Sequence, residues 1–222
     1  MVGDTGATIA VDSLENDFHH KPQQGCKIHK DGELYWTSVG LLVGGGTGFN
    51  LPKIVSSSAN KNLSPSMTVE DATSSIIQPL QKEYDWMKAH DPKEYNYIMK
   101  EAVGGYLRIY FVWREMGHIS WRAKDFRIVN EKVTLAKPEI ETTCAGLPPD
   151  KLCAYIDASD DIKKYNVKHL DELWTSENFL PSIKLLMEKG RNEFPKSVGP
   201  PYSILLILPH TTKWLDAGLC NF

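Results

Sequence analysis

Apolar positions recur with two different periods along the chain, which predicts strands through its centre and helices at two places outside it. Between Glu33 and Val43 the residues Leu34, Tyr35, Trp36, Val39, Leu41, Leu42 and Val43 predict a strand pair or one long strand. The break falls at Gly40, because a glycine inside a strand has no side chain to pack. Asp31-Gly32 just before it is a turn signal. Over Thr68 to Ala89 the period changes: Ile76, Ile77, Leu80, Tyr84 and Met87 recur at helical spacing. Thr68 is placed to cap that helix, with Asp71 three residues on. Pro79 inside the pattern predicts a kink or two shorter helices, since proline lacks the N–H and crowds the preceding turn. Ser56 to Ser66 reads as a polar loop, and Tyr95 to Val103 as a further turn or strand.

The middle of the chain is dense in aromatic and branched residues, which favour a pleated, half-buried surface. Tyr106 to Trp113 is the densest run, Ile119 and Trp121 alternate with polar neighbours, and Phe126, Ile128, Val133 and Leu135 flank a turn at Asn130-Glu131. Leu152 to Ile156 reads as another strand. Val167 to Trp174 and Leu180 to Met187 read as helix, separated by a break before Pro181. Tyr202 to Leu208 is a buried strand between Pro200-Pro201 and Pro209, and the tail carries Trp214, Leu215, Leu219 and Phe222. Strands in the centre with helices clustered outside predict a mainly β, α+β protein: an antiparallel sandwich with peripheral helices rather than alternating βα units. Residues 1–31 are polar and show no period, so they read as an arm ordered by contacts with something else. Residues 32–222 then form a single β-sandwich domain with flanking helices.

Composition narrows the function classes. The 222 residues are 41% hydrophobic and 24% charged, which excludes a disordered chain. The formal net charge of -3 offers no basic excess for a nucleic-acid backbone. No stretch approaches the length of a membrane span, and Met1 to Ala10 lacks the basic start and apolar run of a signal peptide. Neither nucleic acid nor membrane is therefore expected as a partner, and synthesis in a reducing compartment is expected.

Motifs that could carry chemistry are incomplete. The run Gly44-Gly45-Gly46-Thr47-Gly48 is followed by Phe49-Asn50-Leu51-Pro52, so the Lys and Ser or Thr of a phosphate loop are missing and a flexible hinge is expected. His19, His20 and His29 lack a cysteine or carboxylate cluster to complete a metal site. Asp157, Asp160 and Asp161 lack the glycine and distal glutamate of a calcium loop. No G-x-S-x-G elbow occurs, and Asn62-Leu63-Ser64 reads as a chance glycosylation pattern. No catalytic, cofactor or metal residue is assigned, and an enzyme is not expected. The four cysteines, Cys26, Cys144, Cys153 and Cys220, form no C-x-x-C pair. They read either as free thiols or as thiols that oxidise after assembly. In the second case Cys26 and Cys220, near the two chain ends, are candidates for an intermolecular cross-link, and Cys144 with Cys153 is another possible disulfide.

Several patches resemble the baculovirus polyhedrins and granulins. They are Lys100-Glu101, the strand Tyr106 to Trp113, Trp121, and Phe126-Arg127-Ile128-Val129-Asn130-Glu131. Asp31-Gly32-Glu33-Leu34-Tyr35 with Val39-Gly40 is similar to that family's first strand, and Leu170 to Trp174, Glu177-Asn178-Phe179 and Ile204 to Leu208 to its C-terminal third. The patches cover about half of the chain in the family's order. The basic cluster after the first strand is replaced here by the glycine run, and the Tyr-rich arm is missing. The resemblance, to a divergent member such as one from the nudiviruses, implies a jelly-roll-like sandwich. It implies an occlusion-body protein that self-assembles in the host nucleus into a crystal around virions, protects them outside an insect host and dissolves in an alkaline gut. Its partners would be its own copies and the embedded virions, with no cofactor. The alternatives are another viral structural protein, such as a matrix or capsid subunit, and a cytosolic enzyme or ligand-binding sandwich. A clustered set of buried titratable residues would favour the last.

Overall fold

The computed structural model describes residues 2–3, 6–12, 14–15, 23–101, 107–136, 179–193, 195 and 198–220. The expected strand Leu152–Ile156, the expected helix Val167–Trp174, His19, His20, Asp157, Asp160, Asp161, Cys144 and Cys153 lie outside them. The chain divides into two compact units. Unit 1 comprises Met1–Ile28 with Gly146–Phe222, and unit 2 comprises His29–Ala145. Every described strand pairing is antiparallel, and the architecture is α+β.

Unit 2 is built on a five-stranded meander, β5(His29–Asp31), β6(Leu34–Gly40), β7(Leu107–Glu115), β8(His118–Val129) and β9(Lys132–Ala136), in sequence order. Strand β6 ends at the predicted break, Gly40, whose φ of +103° a side chain would resist. The β8–β9 turn falls at Asn130 and Glu131, both in the left-handed region. Between β6 and β7 the chain forms α1(Leu51–Ala59), α2(Pro65–His90) and α3(Pro92–Glu101). Alternation along the strands gathers Leu34, Trp36, Ile109, Phe111, Trp113 and Phe126 on the face that packs with Val55, Val69, Ile76, Leu80 and Met87 of the helices.

Three local expectations change in unit 2. Residues 51–59 are helical, so Ser56 to Ala59 belong to a helix rather than to the expected polar loop: Asn50 accepts from the Lys53 N–H and Pro52 sits in the first turn, where a missing N–H costs nothing. The second helix starts earlier than Thr68, because Ser64 is its cap and Pro65 its first residue, and it continues through Pro79. Pro92–Glu101 is a ten-residue helix, in place of the further turn or strand expected from Tyr95 to Val103.

Unit 1 carries a four-stranded sheet in the order β1(Val2–Gly3), β2(Gly6–Val11), β10(Ser203–Ile207), β11(Thr212–Asp216). It also has a two-stranded pair, β3(Leu14–Glu15) with β4(Gln23–Gln24), and a helix α4(Phe179–Glu193) that holds Pro181 in its first turn. The expected boundaries of a 1–31 arm and a single 32–222 domain are thereby replaced. Residues 6–11 pair with β10 from Val11↔Ser203 to Ala7↔Ile207, and Ala7, Thr8 and Ile9 are buried. The branched residues Thr8, Ile9 and Val11 supply the strand, and β10, close to the other end of the chain, supplies its partner.

Candidate functional site

One end of the four-stranded sheet collects polar groups from distant parts of the chain. Val11 ends β2 opposite Ser203, the first residue of β10, so Asp12 and Tyr202 lie just beyond the same end of the sheet. Cys220 follows β11 and is brought back there: its N–H donates to the Ala217 carbonyl, and its Sγ lies 3.3 Å from Ser203 Oγ. A disulfide joins Cys220 to Cys26, with Cα atoms 4.8 Å apart, and this places Lys27, the next residue, at the same end. The Lys27 ammonium donates to Asp12 Oδ1 at 2.9 Å, and the two side chains are 22% and 18% exposed. From α4, Glu188 accepts a 2.8 Å hydrogen bond from the buried Tyr202 hydroxyl.

Burial, then the bond to Glu188 and that carboxylate's charge, push the Tyr202 phenol up to about 12; Arg191 opposes the shift and Asp12 adds to it. Tyr202 is therefore a neutral hydroxyl through the physiological range, near a partly exposed ion pair. Asp12, Lys27, Glu188 and Tyr202 escape a reading by local motif, since they come from four separate segments. The one available signal was the branched run Thr8-Ile9-Ala10-Val11 ending on an acid.

The cysteines singled out by their positions near the chain ends are bonded within one chain, not across two. This corrects the intermolecular assignment: each sulfur already has its partner, because β2, β10 and β11 bring the segments that carry them to one end of one sheet.

The glycine run is not a hinge among the described residues. Its loop is closed by Gly44 N–H to Phe49 C=O (2.8 Å) and Leu51 N–H to Leu42 C=O (2.9 Å). Glu83, buried on α2, accepts from the Gly46 N–H at 3.0 Å and from the Thr47 N–H at 2.8 Å. A Cβ on Gly44 would lie 2.3 Å from Glu83 Cδ, and one on Gly46 would lie 2.0 Å from the Trp86 ring. Glycine is thus needed for close approach. His29 stacks on Trp36 with ring centroids 4.0 Å apart, and burial lowers its pKa against the opposing pull of Asp31. Among the described residues, no three His, Cys, Asp or Glu side chains are grouped to hold a metal. No described helix is long and apolar enough to cross a membrane.

No model of a known protein family matches the chain, and no curated protein matches it. The polyhedrin–granulin resemblance therefore has no support from these comparisons. Among solved structures the chain is similar to Anbu (ancestral beta-subunit) from Yersinia bercovieri, at 14% sequence identity and a TM-score of 0.49, over 97% of this chain and 85% of that one.

Proposed function

We propose that the polar cluster at the end of the four-stranded sheet is a catalytic site for hydrolysis, in which Lys27 stabilises the negative charge that develops on a bound substrate as water attacks it and its leaving group departs to solvent. The observation that carries this reading is the partly exposed ion pair, Lys27 Nζ to Asp12 Oδ1 at 2.9 Å. An ammonium has three donors, and Asp12 engages one while fixing where the side chain points. A preset positive group in a partly desolvated site acts on charge as it forms, without reorganising first. The Tyr202 hydroxyl, held by Glu188, is a neutral polar group beside it. Asp12 and Glu188 are then positioning residues.

The test is a hydrolysis screen of the purified chain on chromogenic esters, peptide amides, glycosides and phosphate esters, with Lys27→Met and Asp12→Asn alongside. The expected result is turnover of one class, lowered about 10²- to 10³-fold in kcat/KM by Lys27→Met. Turnover that Lys27→Met leaves unchanged, or none on any class, overturns the reading.

A second reading, a structural subunit that binds its own copies, is favoured by a different observation. Met116, at the β7–β8 turn of unit 2, is 95% exposed and has a φ of +50°, a conformation and exposure that a large apolar side chain disfavours. Met67 at the start of α2 is also exposed, and the adjacent Ser66 hydroxyl reaches Glu115 beside that turn at 3.5 Å. Exposed apolar groups gathered at one end are the kind of surface that protein contacts cover. The occlusion-body role and the jelly-roll wrapping belong to this second reading and rest on the sequence resemblance. Expression in insect cells with microscopy tests the crystal, and light scattering of Met116→Ser against the parent tests the contact. Monomer at all concentrations and no particles overturns it.

A further inference from the structure

Unit 2 holds a groove of about 430 Å³ between the Thr47–Asn50 loop, α1 and α2. Its lining has an uneven chemistry. It is lined by three lysines, Lys53, Lys61 and Lys82, and by Thr47, Ser57, Ser58 and Ser75, with no acidic residue. The hydroxyls of Thr47 and Ser57 are spent on Glu83 and on the Lys53 carbonyl, and Ser58 is buried, which leaves that of the exposed Ser75. Lys61 is held in place by two contacts to Asp71, 2.7 and 2.9 Å, and that acid spends its charge there. Among the described residues Lys53 and Lys82 form no ion pair, so their charges are not cancelled. The chain as a whole is acidic at -3, which makes this local excess of positive charge the more unusual.

The start of α1 does not supply the attraction by itself. Its first amides are already used: Leu51 N–H donates to Leu42, Pro52 has none, and Lys53 N–H donates to the Asn50 side chain. The lysines must therefore do the work. The proline of α2 adds an acceptor: Pro79 has no N–H to give Ser75, so the Ser75 carbonyl loses its usual helical donor beside the groove. Apolar contact comes from Phe49, Ile54 and Pro79.

We propose that this groove binds a small phosphorylated molecule, its phosphate between Lys53 and Lys82 and its hydroxyl-bearing remainder against Ser75 and the apolar wall. Two ammonium groups match a phosphate monoester dianion in charge, and the Ser75 hydroxyl and carbonyl match a hydroxyl-bearing group. The volume is large enough for a sugar phosphate or a nucleotide. The inference is independent of the catalytic reading, which concerns unit 1.

Calorimetric titration of the whole chain tests it, with inorganic phosphate, glucose 6-phosphate, adenosine 5′-monophosphate and glucose as probes. Binding of a phosphorylated organic probe is expected, with inorganic phosphate weaker and glucose undetected. Lys53→Gln and Lys82→Gln are each expected to weaken it about 10-fold or more, and Lys82→Arg to retain most of it. Both lysines are exposed, so the variants are expected to fold, and melting curves check this. Inorganic phosphate binding as tightly as the organic probes would reassign the groove to the free anion and overturn the proposal. So would no heat from any probe at about 10 mM, about 2.7 kcal/mol of binding free energy by the usual conversion. Affinity unchanged in Lys53→Gln and Lys82→Gln would overturn it as well.

Discussion

Cys26 and Cys220 are bonded to each other across 194 residues of sequence, fastening the segment that follows β4 to the segment that follows β11 at one end of the same sheet. A cross-link that closes so long a loop removes much of the freedom of the unfolded chain, about 5 kcal/mol in the loop-entropy account. The same bond positions Lys27, so sheet closure and the geometry of the polar cluster are tied together.

Reduction of the folded chain, or Cys26→Ser with Cys220→Ser, is expected to lower the melting temperature and the midpoint of urea unfolding. The loss should approach but not exceed about 5 kcal/mol. Non-reducing electrophoresis is expected to show a monomer that runs faster than its reduced form. Disulfide-linked dimers that disappear in Cys26→Ser would show pairing between chains instead.

Glu83 and Gly46 form a second such pair, made within unit 2. Glu83 is buried on α2 and takes hydrogen bonds from the backbone of both Gly46 and Thr47. Hydrogen bonds to a charged group contribute about 1.5–3 kcal/mol each when the alternative is an unsatisfied partner. Glu83→Ala is therefore expected to cost about 3–5 kcal/mol. Glu83→Gln should cost less, because its one carbonyl oxygen still accepts. Gly46→Ala is expected to cost about 1–3 kcal/mol, since Trp86 must move aside. Denaturant titration of the three variants checks the order.

How much of this was legible in the sequence depends on how local each cause is. Strands β7, β8 and β9 were, because the Tyr106–Trp113 run and the residues around Asn130-Glu131 carry both the pattern and the turn. The break at Gly40 and the C-terminal strand were too. Helix α1 was obscured by Ser56, Ser57 and Ser58, yet Ser57 Oγ donates back to the Lys53 carbonyl, so one hydroxyl is satisfied inside the helix. The helix is not split at Pro79 into two shorter ones, because a proline removes one bond from a helix that its buried face still holds. Strand β2 needed β10, almost two hundred residues away, to become visible as a strand. The polar cluster depends on that same pairing, and no local spacing announces it.

Asp125 is expected to be, with Glu83, among the most sensitive charges in unit 2. It is fully buried, and its Oδ2 receives Arg108 Nη2 at 3.1 Å and Arg127 Nη2 at 2.8 Å. Its Oδ1 has no hydrogen-bond partner among the described residues. Removing one member of a buried ion pair strands the other, at a cost of about 3–5 kcal/mol. Asp125→Ala should lose that much in urea unfolding at neutral pH. Arg127 is partly exposed, so Arg127→Ala should lose distinctly less. Equal losses would show that the two arginines carry the carboxylate jointly.

Tyr202 makes the alkaline limb of stability a test of the unit 1 cluster. Its phenol is pushed from 10.0 up to about 12 by burial first and by Glu188 next, with Asp12 adding and Arg191 opposing. The folded chain thus holds this proton more tightly than the unfolded chain. The associated stability is fully present below the unfolded pKa near 10 and is lost as pH rises through about 12. Tyr84 is raised as well, by burial and its bond to Tyr95, so the parent chain should carry more than one such contribution. The difference between the parent and Tyr202→Phe isolates one of them: urea midpoints should differ most at neutral pH and converge between pH 10 and 12. Phenolate absorbance in the ultraviolet should show one tyrosine fewer titrating late in Tyr202→Phe. Glu188→Gln should bring the Tyr202 titration downward, because the second cause of its shift is a carboxylate. A parallel offset of the two stability curves through the whole range would mean that Tyr202 titrates in the folded chain as it does in the unfolded one.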